Sequence, residues 1–308
     1  MTMIRPNFLQ KGDTVALVSP SGPIQKDSIN FAVQVLTSWG LHVKIGRHAY
    51  ERDGVFAGTD ECRRTDFQQA INDKKVKAII CTRGGYGAIR IVEDIDYSKL
   101  LSNPKWIVGF SDITVFHSKL NSLGVESIHG AMAKSFPNVT EESLQTLHDT
   151  LFGKIKPIKS AVSHANRPGK CTGKLVGGNL SMLYSIRGLS FEYDYDGAVL
   201  FIEDLNEYLY HIDRMIQNLK HSGILGKLSG LIVGTMSGMK NGVDEYHGSV
   251  ESIILDAVKD YDYPVAFDFP SGHEEQNHAL IFGATYTLSV TKKGGTLKVG
   301  EKRSLPFT

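Results

Sequence analysis

The chain has 308 residues and carries 34 Lys and Arg against 33 Asp and Glu, a formal charge of +1. Apolar residues make up 41% and charged residues 22%, which excludes a mainly disordered, collagen-like or disulfide-scaffold chain. The balanced charge supplies no general attraction for nucleic acid, and the longest apolar runs, such as Val199 to Ile202 and Ala78 to Cys81, are far short of the roughly 20 residues a membrane helix needs.

The first half alternates strand and helix patterns. Asp13 to Ser19 is a β-rich run closed by Pro20-Ser21-Gly22-Pro23, a strong breaker. Ile29, Val33 and Leu36 then recur at helical spacing up to Gly40. Leu41 to Ile45 reads as a strand and Thr59 to Ala70 as a helix. Val76 to Thr82 reads as a buried strand, followed by Arg83-Gly84-Gly85-Tyr86-Gly87 and a helix from Ala88. Trp106 to Phe110 is a further apolar strand, with a helix from Asp112 to Leu123. This rhythm predicts an α/β fold whose first half is a Rossmann-like parallel sheet with helices on its faces.

Pro, Gly, Lys and Ser crowd the stretch from Gly153 to Lys174, which reads as a linker. Beyond it come Gly177-Gly178-Asn179 with a short helix, the strand Ala198 to Ile202, and a helix from about Tyr208 to Lys220. The strand Gly230 to Gly234, a helix around Val250 to Val258 and the strand Pro264 to Phe269 follow. Thr285 to Val299 alternates and is expected to turn at Gly294-Gly295. The expected organisation is an N-terminal α/β domain over 1–152, a linker over 153–173 and a mixed α/β domain over 174–308.

The N-terminus has no uninterrupted apolar segment of signal-peptide length. Cys62, Cys81 and Cys171 are odd in number and widely spaced, with no CxxC pair, so neither a disulfide framework nor a zinc knuckle is indicated. A cytoplasmic location is expected, with the cysteines as structural thiols.

Chemistry is predicted where strands end. Gly109-Phe110-Ser111-Asp112 has the form of a nucleophile elbow, in which a tight strand-to-helix turn pushes a hydroxyl out. Ile113 stands where the fifth-position glycine belongs, and the alternative is that Ser111 caps the helix. Arg83-Gly84-Gly85-Tyr86-Gly87 lets backbone N–H groups approach an anion, as a phosphate loop, as an oxyanion donor beside Ser111, or simply as a tight turn. Glu203, Glu207 and His211 are four apart, the spacing of helical metal ligands, but a strand reaching Glu203 breaks that face. His273, Glu274 and His278 miss the H-E-x-x-H spacing by one residue, which rejects a zincin and leaves His273 as a candidate base. His117 and His129 are further histidines within reach.

Ser111, Glu203 and His273 thus each end a predicted strand, in the chain order Ser, acid, His. With Gly12-Asp13, Ser19-Pro20-Ser21-Gly22, Arg83 to Gly87, His129-Gly130, Gly177 to Ser181, Glu203-Asp204, Ile212-Asp213-Arg214 and Gly272-His273 with Asn277, the chain resembles the LD-carboxypeptidases, which include the microcin C immunity peptidases. The elbow carries Phe110 where the family often has Tyr, and Glu274-Glu275-Gln276 replaces a segment in which Pro and Gly are common.

The resemblance implies a two-domain homodimer with its active site in the interdomain cleft. It implies nucleophile Ser111, base His273 and orienting acid Glu203, with no metal or organic cofactor. The N–H groups of Asp112 and Gly85 would hold the oxyanion. The implied substrate is murein tetrapeptide, free or in its muramyl or nucleotide-linked form, losing terminal D-alanine from the L-centre of a diamino acid during cell-wall recycling. Arg83 is a candidate for binding the substrate carboxylate, against the alternative of an ion pair or a loop-to-backbone bond. Two other functions stay open. One is the same triad acting on an acyl-adenylate antibiotic, which an aromatic residue placed to stack a nucleobase would favour. The other is a non-catalytic nucleotide-binding module.

Overall fold

The computed structural model describes residues 3–243 and 245–300, so residues 301–308 of the expected second domain lie outside it. In the first half, strands β1 (Thr14–Val18), β2 (His42–Ile45), β3 (Val76–Cys81), β4 (Trp106–Gly109) and β5 (Ser127–His129) alternate with helices. The helices are α1 (Lys26–Ser38), α2 (Asp60–Asn72), α3 (Ala88–Ile91), α4 (Ser98–Ser102) and α5 (Thr114–Ser122), with α6 (Glu141–Leu151) after β5. β1 and β3 are apolar runs nearly buried from end to end, as strands covered on both faces must be. α1 turns Ile29, Ala32 and Leu36 inward, and α2 starts where the Thr59 hydroxyl accepts the Cys62 N–H.

In the second half come β6 (Ile158–Lys159), β7 (Gly169–Asn179), α7 (Leu180–Ser185), β8 (Val199–Leu205), α8 (Leu209–His221) and β9 (Gly230–Ser237). They are followed by α9 (Val250–Ala257), β10 (Val265–Ala266), β11 (Leu280–Phe282), β12 (Thr285–Thr291) and β13 (Gly294–Val299).

The first sheet has the order β11-β5-β4-β3-β1-β2. Its strands β1 to β5 run parallel, and β11 lies antiparallel on β5. The order 2-1-3-4-5 is that of a doubly wound sheet, with its crevice at the carboxyl ends of β1 and β3, where successive crossovers diverge. The second sheet, β10-β9-β8-β7-β12-β13-β6, is parallel from β7 to β10 and antiparallel from β7 through β12 and β13 to β6. β7 spans both regimes: Gly169 to Lys174 pairs with β12, and Leu175 to Asn179 pairs with β8.

The expected parallel α/β half and mixed second half are both present. Two local expectations need correction, and one helix is additional. The last hairpin turns at Lys292-Lys293, and Gly294 and Gly295 are already in β13, opposite Thr291 and Val290; the Thr291 hydroxyl bonds across the turn to the Lys293 N–H and the Gly294 carbonyl. The Pro264 to Phe269 run is strand only at Val265–Ala266, because Asp268 takes φ 53° and breaks the extended backbone. Helix α6 went unpredicted although Thr140 caps it from the Ser143 N–H and Glu141 and Glu142 fill its first turn. Its apolar Leu144, Leu147 and Leu151 also recur at helical spacing.

Candidate active site

Ser111 follows the end of β4. Its φ is 64°, a left-handed value that a serine rarely adopts and that marks the sharp strand-to-helix turn of a nucleophile elbow. Phe110 before it is extended, and a 3₁₀ turn over Ser111–Ile113 leads into α5. The expected helix from Asp112 therefore starts with a tighter turn. Gly109 has no room for a side chain, since a Cβ would stand 2.9 Å from Ile113.

The glycine loop packs against this elbow. A Cβ on Gly84 would lie 2.7 Å from the Ser111 Cβ and 2.9 Å from its hydroxyl oxygen, so only glycine fits. The Gly22 N–H donates to the Gly84 carbonyl at 3.0 Å, joining the loops after β1 and β3. Asp112 is buried, and its carboxylate accepts the Ala88 N–H at 2.9 Å. Burial pushes its carboxyl up, against the Ser21 hydroxyl, the Ala88 N–H and the Arg63 charge. Ser111 is thus held between two fixed loops.

Glu203 lies in β8, fully buried, in register with Asn179 of β7. Its neighbour Asp204 accepts the Asn179 side-chain amide and both the N–H and hydroxyl of Ser181. This network absorbs the Asn179-to-Ser181 motif and leaves Glu203 for another partner. That partner is His273, whose Nδ1 is 2.6 Å from Glu203 Oε2. The His273 N–H donates to the Thr235 hydroxyl. Gly272, at φ 137°, lets the chain pass over Glu203 where a Cβ would overlap Thr235. Burial alone would push the His273 pKa down, but the Glu203 charge and hydrogen bond outweigh it and hold the imidazole above its ordinary 6.5. Burial in turn pushes the Glu203 carboxyl up against the pull of His273.

Ser111 and His273 line one cavity of about 550 Å³ together with Arg83, Gly84, Gly85 and Phe110. The structure therefore brings together Ser111, Gly85 and Arg83 from the first half and the Glu203–His273 pair from the second. Among the described residues Ser111 and His273 make no direct hydrogen bond, a contact that often tightens only when substrate binds. The ring of Phe110 stands edge-on to His273, centroids 4.8 Å apart. Arg83 donates one guanidinium N–H to the Pro23 carbonyl at 2.7 Å, so the loop-to-backbone bond is present.

Lys134 also lines the cavity, a residue that sequence reasoning missed. Burial and then the nearby Arg83 charge hold its ammonium below the ordinary value, and among the described residues neither cation has an ion-pair partner. No local motif marks Lys134; only the path of the loop after β5 brings it there. Glu274 and Glu275 line the same cavity. Their loop is pinned to the start of α6, where the Thr140 N–H donates to the Glu275 carbonyl at 2.9 Å.

The other sequence candidates sit elsewhere. His211 pairs with Glu207 at 2.6 Å, one helical turn apart and without Glu203. His117 is fully buried, bonded to the Ser127 hydroxyl and the Gly109 carbonyl. His129 is buried among Phe110, Phe201 and Phe282. Burial holds both imidazoles well below 6.5, and neither lines the cavity. Burial also raises the thiols of Cys81 and Cys171.

Comparison with known proteins places the chain among its relatives. The LD-carboxypeptidase N-terminal domain matches residues 15–130 and the LD-carboxypeptidase C-terminal domain matches residues 172–288. A Bacillus subtilis protein named "Probable murein peptide carboxypeptidase" is 33% identical over 96% of this chain and 95% of its own length. The murein tetrapeptide carboxypeptidase of Pseudomonas aeruginosa is 30% identical over 89% of this chain and 92% of its own. The crystal structure of muramoyltetrapeptide carboxypeptidase from Oxalobacter formigenes superposes with TM-score 0.86 at 30% identity, covering 94% of this chain and 99% of that one. The microcin C7 self immunity protein MccF, solved with aspartyl sulfamoyl adenosine, shares the fold with TM-score 0.84 at 18% identity, over 98% and 99% of the two chains.

Proposed function

The chain belongs to the LD-carboxypeptidase family, and from that premise we propose that it is a serine carboxypeptidase acting on murein tetrapeptide. The observation that carries this reading is the buried Glu203–His273 pair facing the strained Ser111 across one cavity. His273 takes the Ser111 proton on its other ring nitrogen as the hydroxyl oxygen attacks the carbonyl on the L-centre of the diamino acid. Glu203 accepts the Nδ1–H, fixes the tautomer and stabilises the imidazolium. The oxyanion forms against the N–H groups of Asp112 and Gly85; one such donor is worth about 100- to 1000-fold in rate. His273 then protonates the leaving nitrogen of D-alanine. Water, deprotonated by the same imidazole, hydrolyses the acyl-enzyme and restores Ser111.

A carboxypeptidase must also hold a free carboxylate. Arg83 keeps guanidinium donors beyond the one spent on Pro23, and Lys134 adds a second cation. Two like charges facing one cavity are favourable once an anion sits between them. We assign this pair to the D-alanine carboxylate. Phe110 lines the cavity with its ring packed on His273. The relatives named for murein peptide, at 33% and 30% identity against 18% for MccF, favour peptide over acyl-adenylate. Among the described residues no helix is long and apolar enough to cross a membrane. A cytoplasmic homodimer working in cell-wall recycling is part of the same proposal, supported by the family resemblance.

The test is direct. Purified protein is mixed with a murein tetrapeptide ending in D-alanine, and mass spectrometry follows loss of that residue. Wild type is expected to release it and Ser111→Ala to lose all but a residual rate. Equal release by both would remove Ser111 as nucleophile.

A further inference from the structure

We infer that His48, Glu51 and Cys62 form a binding site for a divalent metal ion of the zinc type, separate from the Ser111 cavity. A ring nitrogen of His48, a carboxylate oxygen of Glu51 and the Cys62 sulfur lie within 4.8 Å of one another. They come from the loop between β2 and α2 and from the first turn of α2. In sequence they read as H-x-x-E followed by a distant Cys, a pattern with no metal signature; the return of the chain into α2 closes the set.

The surroundings resemble the outer sphere of a metal centre. Asp66, one turn beyond Cys62 in α2, is buried. Its carboxylate lies 2.9 Å from His48 Nδ1 and accepts the His48 backbone N–H at 2.8 Å. A carboxylate on Nδ1 keeps the proton there and leaves the Nε2 lone pair for a metal, the arrangement typical of metal-bound histidines. Gly58, at φ 77°, leaves open the space where the other two ligands approach. A Cβ there would stand 3.0 Å from Glu51 Oε2 and 3.3 Å from the Cys62 Cβ.

Nitrogen, thiolate and carboxylate together suit zinc better than the hard cations. Metal–ligand bonds of about 2.0–2.3 Å put tetrahedral donors roughly 3.5 Å apart. The exposed Glu51 and half-exposed Cys62 side chains therefore have to close by about an ångström. Binding replaces the thiol proton with the metal and releases that proton to solvent; a water completes the fourth position. The loop so clipped reaches the active site. The Ala49 carbonyl accepts the Ser19 hydroxyl, which bonds Thr82, the residue before Arg83.

Cobalt(II) added to the full-length, metal-stripped protein tests the site. One equivalent is expected to bind with sulfur-to-cobalt charge-transfer absorption, and zinc should displace it. Cys62→Ser should abolish the band, while Cys171→Ser retains it. Asp66→Asn, which touches no metal, should weaken binding about 10- to 100-fold. Circular dichroism of each metal-free variant checks folding, and His48→Gln carries the test if Cys62→Ser does not fold. Absence of the band in folded wild type would overturn the assignment, as would a band or stoichiometry unchanged in Cys62→Ser or His48→Gln.

Discussion

At the scale of single residues, the candidate site depends on conformations and close contacts that leave little room for substitution. A serine at φ 64° carries backbone strain of about 1–3 kcal/mol, and here the packed loops on either side hold it in place. Gly84 is a steric requirement of Ser111 rather than a phosphate-loop glycine. In the proposed mechanism the Glu203 charge would set the working pH. Because it holds the His273 pKa above 6.5, and only neutral imidazole serves as base, kcat/KM should rise with pH through an apparent pKa above 6.5. In Glu203→Gln the burial stays and the charge goes. The acid limb should therefore move to lower pH while the maximal rate falls by on the order of 10³–10⁴-fold. A pH–rate profile of the two proteins checks this, and an unmoved acid limb would mean that another group governs it.

At the scale of elements, most of the regular structure was legible. The first-half strands are apolar runs with breakers at their ends, and the parallel order follows from their alternation with helices. What misled was local chemistry under tertiary control. Gly294-Gly295 reads as a turn yet pairs in β13; α6, by contrast, is announced locally by the Thr140 cap and by Leu144, Leu147 and Leu151 at helical spacing. Gly177-Gly178-Asn179 was readable as a motif, but its reason is visible only where β7 meets α5. The Asn179 N–H donates to the Thr114 hydroxyl at 3.0 Å, and Gly178, at φ 137°, lies so close that a Cβ would overlap that threonine. Gly178→Ala is expected to destabilise the protein by roughly 2–3 kcal/mol. It should also lower kcat/KM, since β7 carries the register of Glu203. Urea unfolding and steady-state rates measure the two effects.

At the scale of the whole molecule, the cleft exists because the halves are locked together. β11 leaves the second half to pair with β5, and its chain returns at once as β12 of the second sheet. The Gly283 N–H bonds the Leu175 carbonyl, and the Leu175 N–H bonds the Ala284 carbonyl. His117 sits within this frame, neutral and buried, against the carbonyl that precedes the elbow. Burial lowers its pKa from 6.5 to about 4. A base with a depressed folded pKa stabilises the fold above pH 6.5 and loses that contribution as pH falls toward 4. The loss is on the order of 3 kcal/mol. Urea midpoints should therefore drop between pH 6.5 and 4, and less steeply in His117→Asn.

Local matters are legible in the sequence: which runs become strands, and the presence of a serine just past one of them, an acid within another and a histidine in the loop after a third. Such features follow from periodicity, caps and breakers within a few residues. Which of these residues meet is set by the folding of the whole chain. Pairing Glu203 with His273 spans 70 residues, and placing Lys134 beside Arg83, or His48 beside Cys62, depends on how loops return across a sheet. Contacts between residues so far apart are set by sheet order and packing of the whole core, and no short window of residues encodes them.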